Sequence, residues 1–281
     1  MKTQPILIDF DGLFDEKLAQ YMEENAGKHT EKQWEELIPK LYKNFGDTFI
    51  KRAQNTPKGY YAAMTDEELT DSLARHIAEN VPVSDFLCRE LESRGCPDAL
   101  VRLLDSENEQ LLTTAINLAG GNEKAYAAYF RLLEREENAE LREAVVEQLK
   151  SNADPAKENA LSFYERGIAR EEMLEILSRC KLRDERIYLL LERVFRQSEN
   201  LPMHASYLAA YGDTRALPVL LEAIDREEIN YLEYQELKYA IEALGGEYTT
   251  PRDFSEDAYF REISEQSQFT PDFTAKEKPQ A

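Results

Sequence analysis

Apolar residues recur at three- and four-residue spacings along most of the chain, and Gly, Asn, Asp or Pro separates the apolar blocks at short intervals. This spacing is typical of an amphipathic α-helix, whose apolar positions return to one face about every 3.6 residues. Few segments show the strict alternation of a half-buried strand. The pattern therefore predicts many short helices and an all-α fold.

Four helix starts are predicted from local sequence. A hydroxyl residue followed three positions later by Glu or Gln forms a capping box, in which each side chain binds a free amide of the first turn. Asp before Pro is a second start signal, because proline at the first helical position loses no hydrogen bond. The predicted starts are Thr30 with Gln33, Thr65 with Glu68, Ser106 with Glu109, and Asp154 with Pro155.

A similar block returns after roughly 30 residues, which is the period expected of a helical repeat. Each copy has an acidic or amide residue followed by a Leu-Leu-acid run. The copies are Asp184-Glu185-Arg186 before Leu190-Leu191-Glu192, Asp213-Thr214-Arg215 before Leu220-Leu221-Glu222, Asn122-Glu123-Lys124 before Leu132-Leu133-Glu134, and Asp98 before Leu103-Leu104-Asp105.

Second helices are predicted between these blocks, at 111–121, 139–149, 203–212 and 234–246. Each pair of helices is amphipathic and cannot bury both apolar faces alone. We therefore expect the pairs to stack side by side and share one continuous core.

The run Ala209–Ile224 (AAYGDTRALPVLLEAI) resembles the HEAT-like repeat of the bilin-lyase (PBS-lyase) type, an armadillo-like unit. That unit has a small-residue helix, a Gly-Asp turn and an Arg-Ala-hydrophobic-Pro helix. The resemblance extends over about residues 84 to 246 and implies a right-handed α-α superhelix. The motif specifies packing, and family members range from cofactor-attachment enzymes to scaffolds.

Three regions are expected from this reading. Residues 1–80 lack the repeat block and are predicted to form an N-terminal helical cap; a separate small domain is the alternative, with a break at Asn55–Gly59. Residues 81–247 hold the repeats. Residues 248–281 are predicted to contain a capping helix near Asp257–Ile263 and a mobile acidic tail.

The net charge limits the classes of partner that the chain is expected to bind. The chain has 34 basic and 55 acidic residues, a net charge of −21. Nucleic acids and anionic membranes are not expected partners, because binding to phosphates depends on clustered Lys and Arg. A basic protein or peptide fits better, although acidity also serves solubility. Cys88, Cys96 and Cys180 are odd in number and widely spaced, which does not suggest a disulfide framework. No apolar stretch is long enough for a leader peptide or a membrane span. A cytoplasmic location is therefore expected.

One motif suggests catalysis. Ile6 to Phe14 resembles the first motif of haloacid-dehalogenase-type phosphatases, which would make Asp9 the nucleophile and Asp11 the acid-base residue. Leu13 stands where that family has Thr, and the family's fold requires alternating strands and helices. The alternative is a structural role, in which an extended segment turns at Gly12 and packs on the first helix.

No other catalytic, metal or cofactor site is predicted. His29, His76 and His204 are scattered and have no Cys or His at ligand spacing, and no nucleophile motif is found.

We therefore expect a protein–protein interaction or scaffold module. In HEAT-type arrays the second helices line the concave side, and here they would present an acidic groove to a basic partner. Ordinary solvation of these positions is the alternative, and an enzyme or enzyme subunit of the bilin-lyase-like group is the alternative function. The candidate partner-binding residues are Glu109, Thr113, Glu140, Glu143, Glu147, Glu171, Glu175, Tyr234 and Glu236.

Overall fold

The computed structural model describes residues 5–95, 97–135 and 137–268, and within these ranges it contains helices and no strand. The all-α prediction is confirmed. Short 3-10 turns precede three of the helices, at Glu123–Ala125, Asp154–Ala156 and Thr214–Ala216. The helices are α1 Phe10–Glu24, α2 Glu31–Phe45, α3 Pro57–Ala62, α4 Asp66–Ala78, α5 Asp85–Ser93, α6 Asp98–Leu103, α7 Glu109–Ala119, α8 Tyr126–Arg135, α9 Ala139–Ser151, α10 Lys157–Arg166, α11 Arg170–Ser178, α12 Glu185–Arg196, α13 Leu201–Tyr211, α14 Leu217–Ile224, α15 Tyr231–Ala243 and α16 Ala258–Gln268.

The chain divides into two compact units. Unit 1 holds the described residues up to Asn159 together with Gly167–Ala169, and unit 2 holds Ala160–Arg166 and the described residues from Arg170 onward. The tail that the sequence predicts to be mobile lies outside the described residues, whereas the predicted capping helix corresponds to α16.

A hydrophobic cluster in unit 1 is formed by residues between Ile8 and Leu111. The segment before α1 enters it through the buried Ile8, and the first residue of α1, Phe10, is buried against the Tyr61 ring. The apolar stripe of α4, which is Leu69, Leu73 and Ile77, is buried in the same cluster. Further along unit 1, α7 packs against α6 and α9, and α9 packs against α8.

In unit 2 the second helices form a row. Helix α13 packs against both α11 and α15, while α12 packs against α13 and α14 against α15. The Leu-Leu runs of the repeat blocks lie in this packing, because Leu190, Leu191 and Leu220 are buried.

The first residue of three repeat blocks has the same local role. The side chains of Asp184, Asp213 and Asn122 each accept a hydrogen bond from the amide two residues on, at 3.0, 3.0 and 3.1 Å. Each therefore caps the start of a helix or 3-10 turn. The same cap therefore recurs at three of the four predicted repeat blocks.

Hydrogen bonds also join residues one period apart within a unit. In unit 2, the amide of Asp184 donates to Tyr211 Oη at 2.7 Å, and the guanidinium of Arg215 lies 2.9 Å from Glu185. In unit 1, Arg131 donates to Asp105 at 3.2 Å and Arg135 to the carbonyl of Leu104 at 3.1 Å. These pairs are 26 to 31 residues apart in sequence.

Two of the four predicted helix starts are confirmed, as the capping boxes of Thr30 and Thr65 are both formed. The box at Ser106 is wrong. Asn108 caps α7 by accepting the amide of Leu111 at 2.9 Å, and Ser106 Oγ accepts the amide of Asn108 instead. At Asp154 the start is displaced by one residue, because Ala153 occupies the cap of the 3-10 turn.

Candidate interaction surface

The predicted residues of unit 1 lie on two packed helices. Glu109 and Thr113 are on α7, Glu140, Glu143 and Glu147 are on α9, and all five are exposed. The Thr113 hydroxyl donates to the carbonyl of Glu109 at 2.9 Å, so it is occupied within its own helix. Unit 1 therefore presents four of these carboxylates from neighbouring helices.

In unit 2 the predicted residues fall into two environments. Glu171 on α11 is exposed, and Glu175 on α11 and Glu236 on α15 are half-buried. Tyr234 is only 9% exposed, and its ring packs on Phe254 with centroids 5.0 Å apart. The structure therefore places the Tyr234 ring in the core.

The exposed aromatic residue of α15 is Tyr239, at 63%, and Leu232 is 43% exposed. These positions lie seven residues apart, two turns of a helix, and share a face with Glu236. Tyr234 belongs to the opposite stripe with Leu237 and Ile241, both buried. The helical period alone would have assigned Tyr234 to the buried face and Tyr239 to the exposed face of this helix.

Helix α13 adds Tyr207, which sequence reasoning missed. Burial, and then the nearby carboxylates of Glu175, Glu171 and Glu172, raise the pKa of Tyr207 to about 12. The acidic residues of α11 therefore act electrostatically on a half-buried phenol of α13, the helix packed against it. At neutral pH this phenol is a neutral hydrogen-bond donor in a negative environment.

A second link joins α11 to α13. His204 is 7% exposed; its Nδ1 lies 2.5 Å from Ser198 Oγ, and its Nε2 lies 3.2 Å from Glu171 Oε2. The Ser198 hydroxyl also accepts the amide of Asn200, the cap residue of α13, at 2.7 Å. Ser198 therefore helps to organise the start of α13, and His204 holds the Glu171 carboxylate beside it.

The N-terminal aspartates have structural partners. Asp9 precedes α1 and caps it by accepting the amide of Gly12 at 2.7 Å. A Cβ at Gly12 would lie 2.5 Å from Asp9 Oδ2, so any larger residue there would require the Asp9 side chain to shift. Residues 5–9 form no strand, so the strand that delivers the nucleophile in the phosphatase family is not found there.

Asp11 accepts the Tyr42 hydroxyl at 2.7 Å and the Ser84 hydroxyl at 3.4 Å. It thereby connects α1 to α2 and to the cap residue of α5. Burial and the hydrogen bond to Asp11 raise the pKa of Tyr42 well above its usual value. This arrangement fastens three helices together. The predicted turn at Gly12 is wrong, because Gly12 lies within α1, whereas residues 5–9 before the helix have no regular secondary structure.

The described residues offer few other candidates for a metal-binding or reactive site. They contain no group of three or more His, Cys, Asp or Glu residues that could hold a metal ion, and no helix in them is long and apolar enough to cross a membrane. Burial raises the pKa of Cys88 to about 11, and Cys180 is buried. Cys96 lies outside the described residues.

No protein-family model, curated protein or solved structure matches the chain. The resemblance to HEAT-like repeats therefore stays a prediction.

Proposed function

We propose that this chain is an interaction module of stacked HEAT-like helix pairs forming a right-handed α-α superhelix. The recurring cap at Asp184, Asp213 and Asn122, and the hydrogen bonds one period apart, support it. The row of α11, α13 and α15 in unit 2 is the packing that such a repeat requires.

Its function is to hold a basic protein or peptide segment on the acidic face of the second helices. In unit 2 we call this the α11–α15 face and define it by Glu171, Glu175, Tyr207, Glu236 and Tyr239. The observation that carries the proposal is that α11 packs against α13, where the Glu171 carboxylate lies 3.2 Å from His204 and the His204 ring lies 5.7 Å from the Tyr207 ring. Here acidic groups lie beside aromatic rings.

A guanidinium group suits this face for two reasons. Carboxylates bind it through paired, charge-assisted hydrogen bonds, and tyrosine rings attract cations through their π-face. An exposed pair contributes little, about 0 to 1 kcal/mol, so affinity should come from several pairs together with the apolar contact of Leu232. The expected partner is an arginine-containing segment with apolar residues.

The test is a binding titration with a fluorescent peptide of about a dozen residues that combines arginine and leucine. Replacing Glu171 and Glu175 by Gln keeps the side-chain size and removes two charges from the face. The matched control replaces Glu228 and Glu247, which are exposed acids of unit 2 outside the face. Both variants change the net charge equally.

We expect the Glu171→Gln/Glu175→Gln protein to bind the peptide about fivefold or more weakly, and the control to bind within about twofold of the unmodified chain. Equal weakening in both variants would mean that the peptide responds only to overall charge, and would overturn the proposal. An acidic peptide of the same length should not bind.

A further inference from the structure

A cavity of about 650 Å³ opens in unit 1 between α2, α3 and α5. Its volume lies within the usual range for small-molecule sites. Tyr42 and Phe86 line it and are stacked on each other, with ring centroids 4.8 Å apart and planes 11° from parallel. Pro39 and Ala62 extend the apolar lining.

Glycine at position 46 permits this shape. Gly46 ends α2, and a Cβ there would lie 2.6 Å from Phe86 Cε1 and 2.7 Å from Lys58 Cε. Any larger residue would push the aromatic ring or the lysine stem aside. The close approach of Phe86 and Lys58 therefore depends on the missing side chain.

The charge around this cavity differs from that of the chain as a whole. Three cations line it, Lys43, Lys58 and Arg89, against the carboxylates of Asp47 and Glu90. The Glu90 carboxylate already binds the guanidinium of Arg94 at 2.8 Å. The lining is thus net positive in a protein whose net charge is −21.

The cations can reach an incoming anion. Lys58 contacts Asp47 at 2.6 Å, and both side chains are exposed, at 45% and 68%. Arg89 pairs with Asp85 in an equally exposed setting. Surface pairs of this kind are weak, so exchanging one carboxylate partner for another costs little.

We propose that this cavity binds a flat organic anion, with its ring against the Tyr42 and Phe86 lining and its acidic group near Lys58 and Lys43. The ring would gain aromatic contact and burial, and the anion would gain charge-assisted hydrogen bonds. The site is independent of the α11–α15 face, so either proposal can fail without the other.

The probe is 8-anilinonaphthalene-1-sulfonate, an aromatic sulfonate whose fluorescence rises on binding, titrated into the full chain. Its uncharged counterpart, N-phenyl-1-naphthylamine, measures the contribution of the negative charge. Ala62→Trp fills the cavity without altering its charges. Ala63→Trp adds the same ring one residue away, at an exposed position outside the lining.

We expect Ala62→Trp to weaken sulfonate binding about tenfold or more and Ala63→Trp to leave it within about twofold. Replacing Lys43 and Lys58 by Gln should weaken the sulfonate about fivefold and leave the uncharged probe unchanged, because only the sulfonate uses the cations. Replacing Lys40 and Lys51, which are exposed outside the lining, is the control. Circular dichroism of each variant should match that of the unmodified chain.

Sulfonate binding that resists Ala62→Trp would place the probe elsewhere and overturn the proposal. Equal binding of the two probes, or equal effects of the two lysine pairs, would remove the role of the cations and overturn it as well.

Discussion

Two tyrosines of unit 1 show how much a single hydroxyl depends on its surroundings. Tyr42 donates to Asp11 at 2.7 Å. Tyr61 is 1% exposed, and its hydroxyl has no hydrogen-bond partner in the part of the chain that the structure describes. A buried hydroxyl without a partner has lost its hydration and gained nothing in return, whereas a paired one stabilises the fold.

Removing the two hydroxyls should therefore have opposite consequences. We expect Tyr61→Phe to leave the free energy of unfolding unchanged or raise it by up to about 1 kcal/mol, and Tyr42→Phe to lower it by about 1 kcal/mol. Urea denaturation of both variants at pH 7 provides the measurement. A clear loss of stability in Tyr61→Phe would show that its hydroxyl is satisfied.

The aspartates at the start of α1 show how two different structures can share one local sequence. The sequence of Ile6 to Phe14 fits either a phosphatase strand or a helix start, because Asp before a helix and Asp after a strand look alike locally. What distinguishes them is the Tyr42 hydroxyl, 31 residues away, which binds Asp11. Local sequence contains no information on that contact.

Either asparagine or aspartate can cap the helical segments of the repeat blocks. Asn122 and Asp213 perform the same cap, each accepting the amide two residues on. The Asp213 side chain also binds the guanidinium of Arg215 at 2.8 Å. Hydrogen bonds from the Arg215 side chain and amide hold the pKa of Asp213 below its usual value.

Asp213→Ala should therefore lower the free energy of unfolding by about 1 kcal/mol at pH 7, while Asp213→Asn should lower it less, since asparagine still caps. Because the folded-state pKa of Asp213 is lowered, its ionic contribution is present above the unfolded pKa of about 4 and is lost as the pH falls through the folded value.

Denaturant unfolding of the three proteins at pH 7 and at about pH 3 tests both parts. The difference between the unmodified chain and Asp213→Asn should shrink at the lower pH. A difference that persists there, or an asparagine variant as unstable as the alanine variant at pH 7, would contradict this account.

The helices were largely predictable from the sequence, and their contacts were not. The period of about 30 residues and the capping boxes of Thr30 and Thr65 follow from local chemistry. The contact between α11 and α13 needed the structure, because Glu171 and His204 are 33 residues apart and nothing in either segment identifies the other. For the same reason Tyr207 was missed.

For the whole molecule, the balance of 34 basic and 55 acidic residues is the dominant property. A net charge of −21 opposes the compact state through repulsion, because folding brings the charges closer together. Composition predicts this effect without any knowledge of the fold. Where the carboxylates gather, and where the cations surround the cavity lined by Tyr42 and Phe86, required the packing of the helices.

Added salt should therefore stabilise this chain. Raising NaCl from about 20 to about 200 mM shortens the screening length to under 10 Å and should raise the melting temperature by a few degrees at pH 7.5. Near pH 4.7, the sequence isoelectric point, the net charge is close to zero and the same salt should have little effect. Choline chloride should act like NaCl, because screening does not depend on which monovalent cation is present. Equal salt effects at both pH values would show that repulsion is not the cause, and a response to sodium but not choline would indicate bound sodium instead.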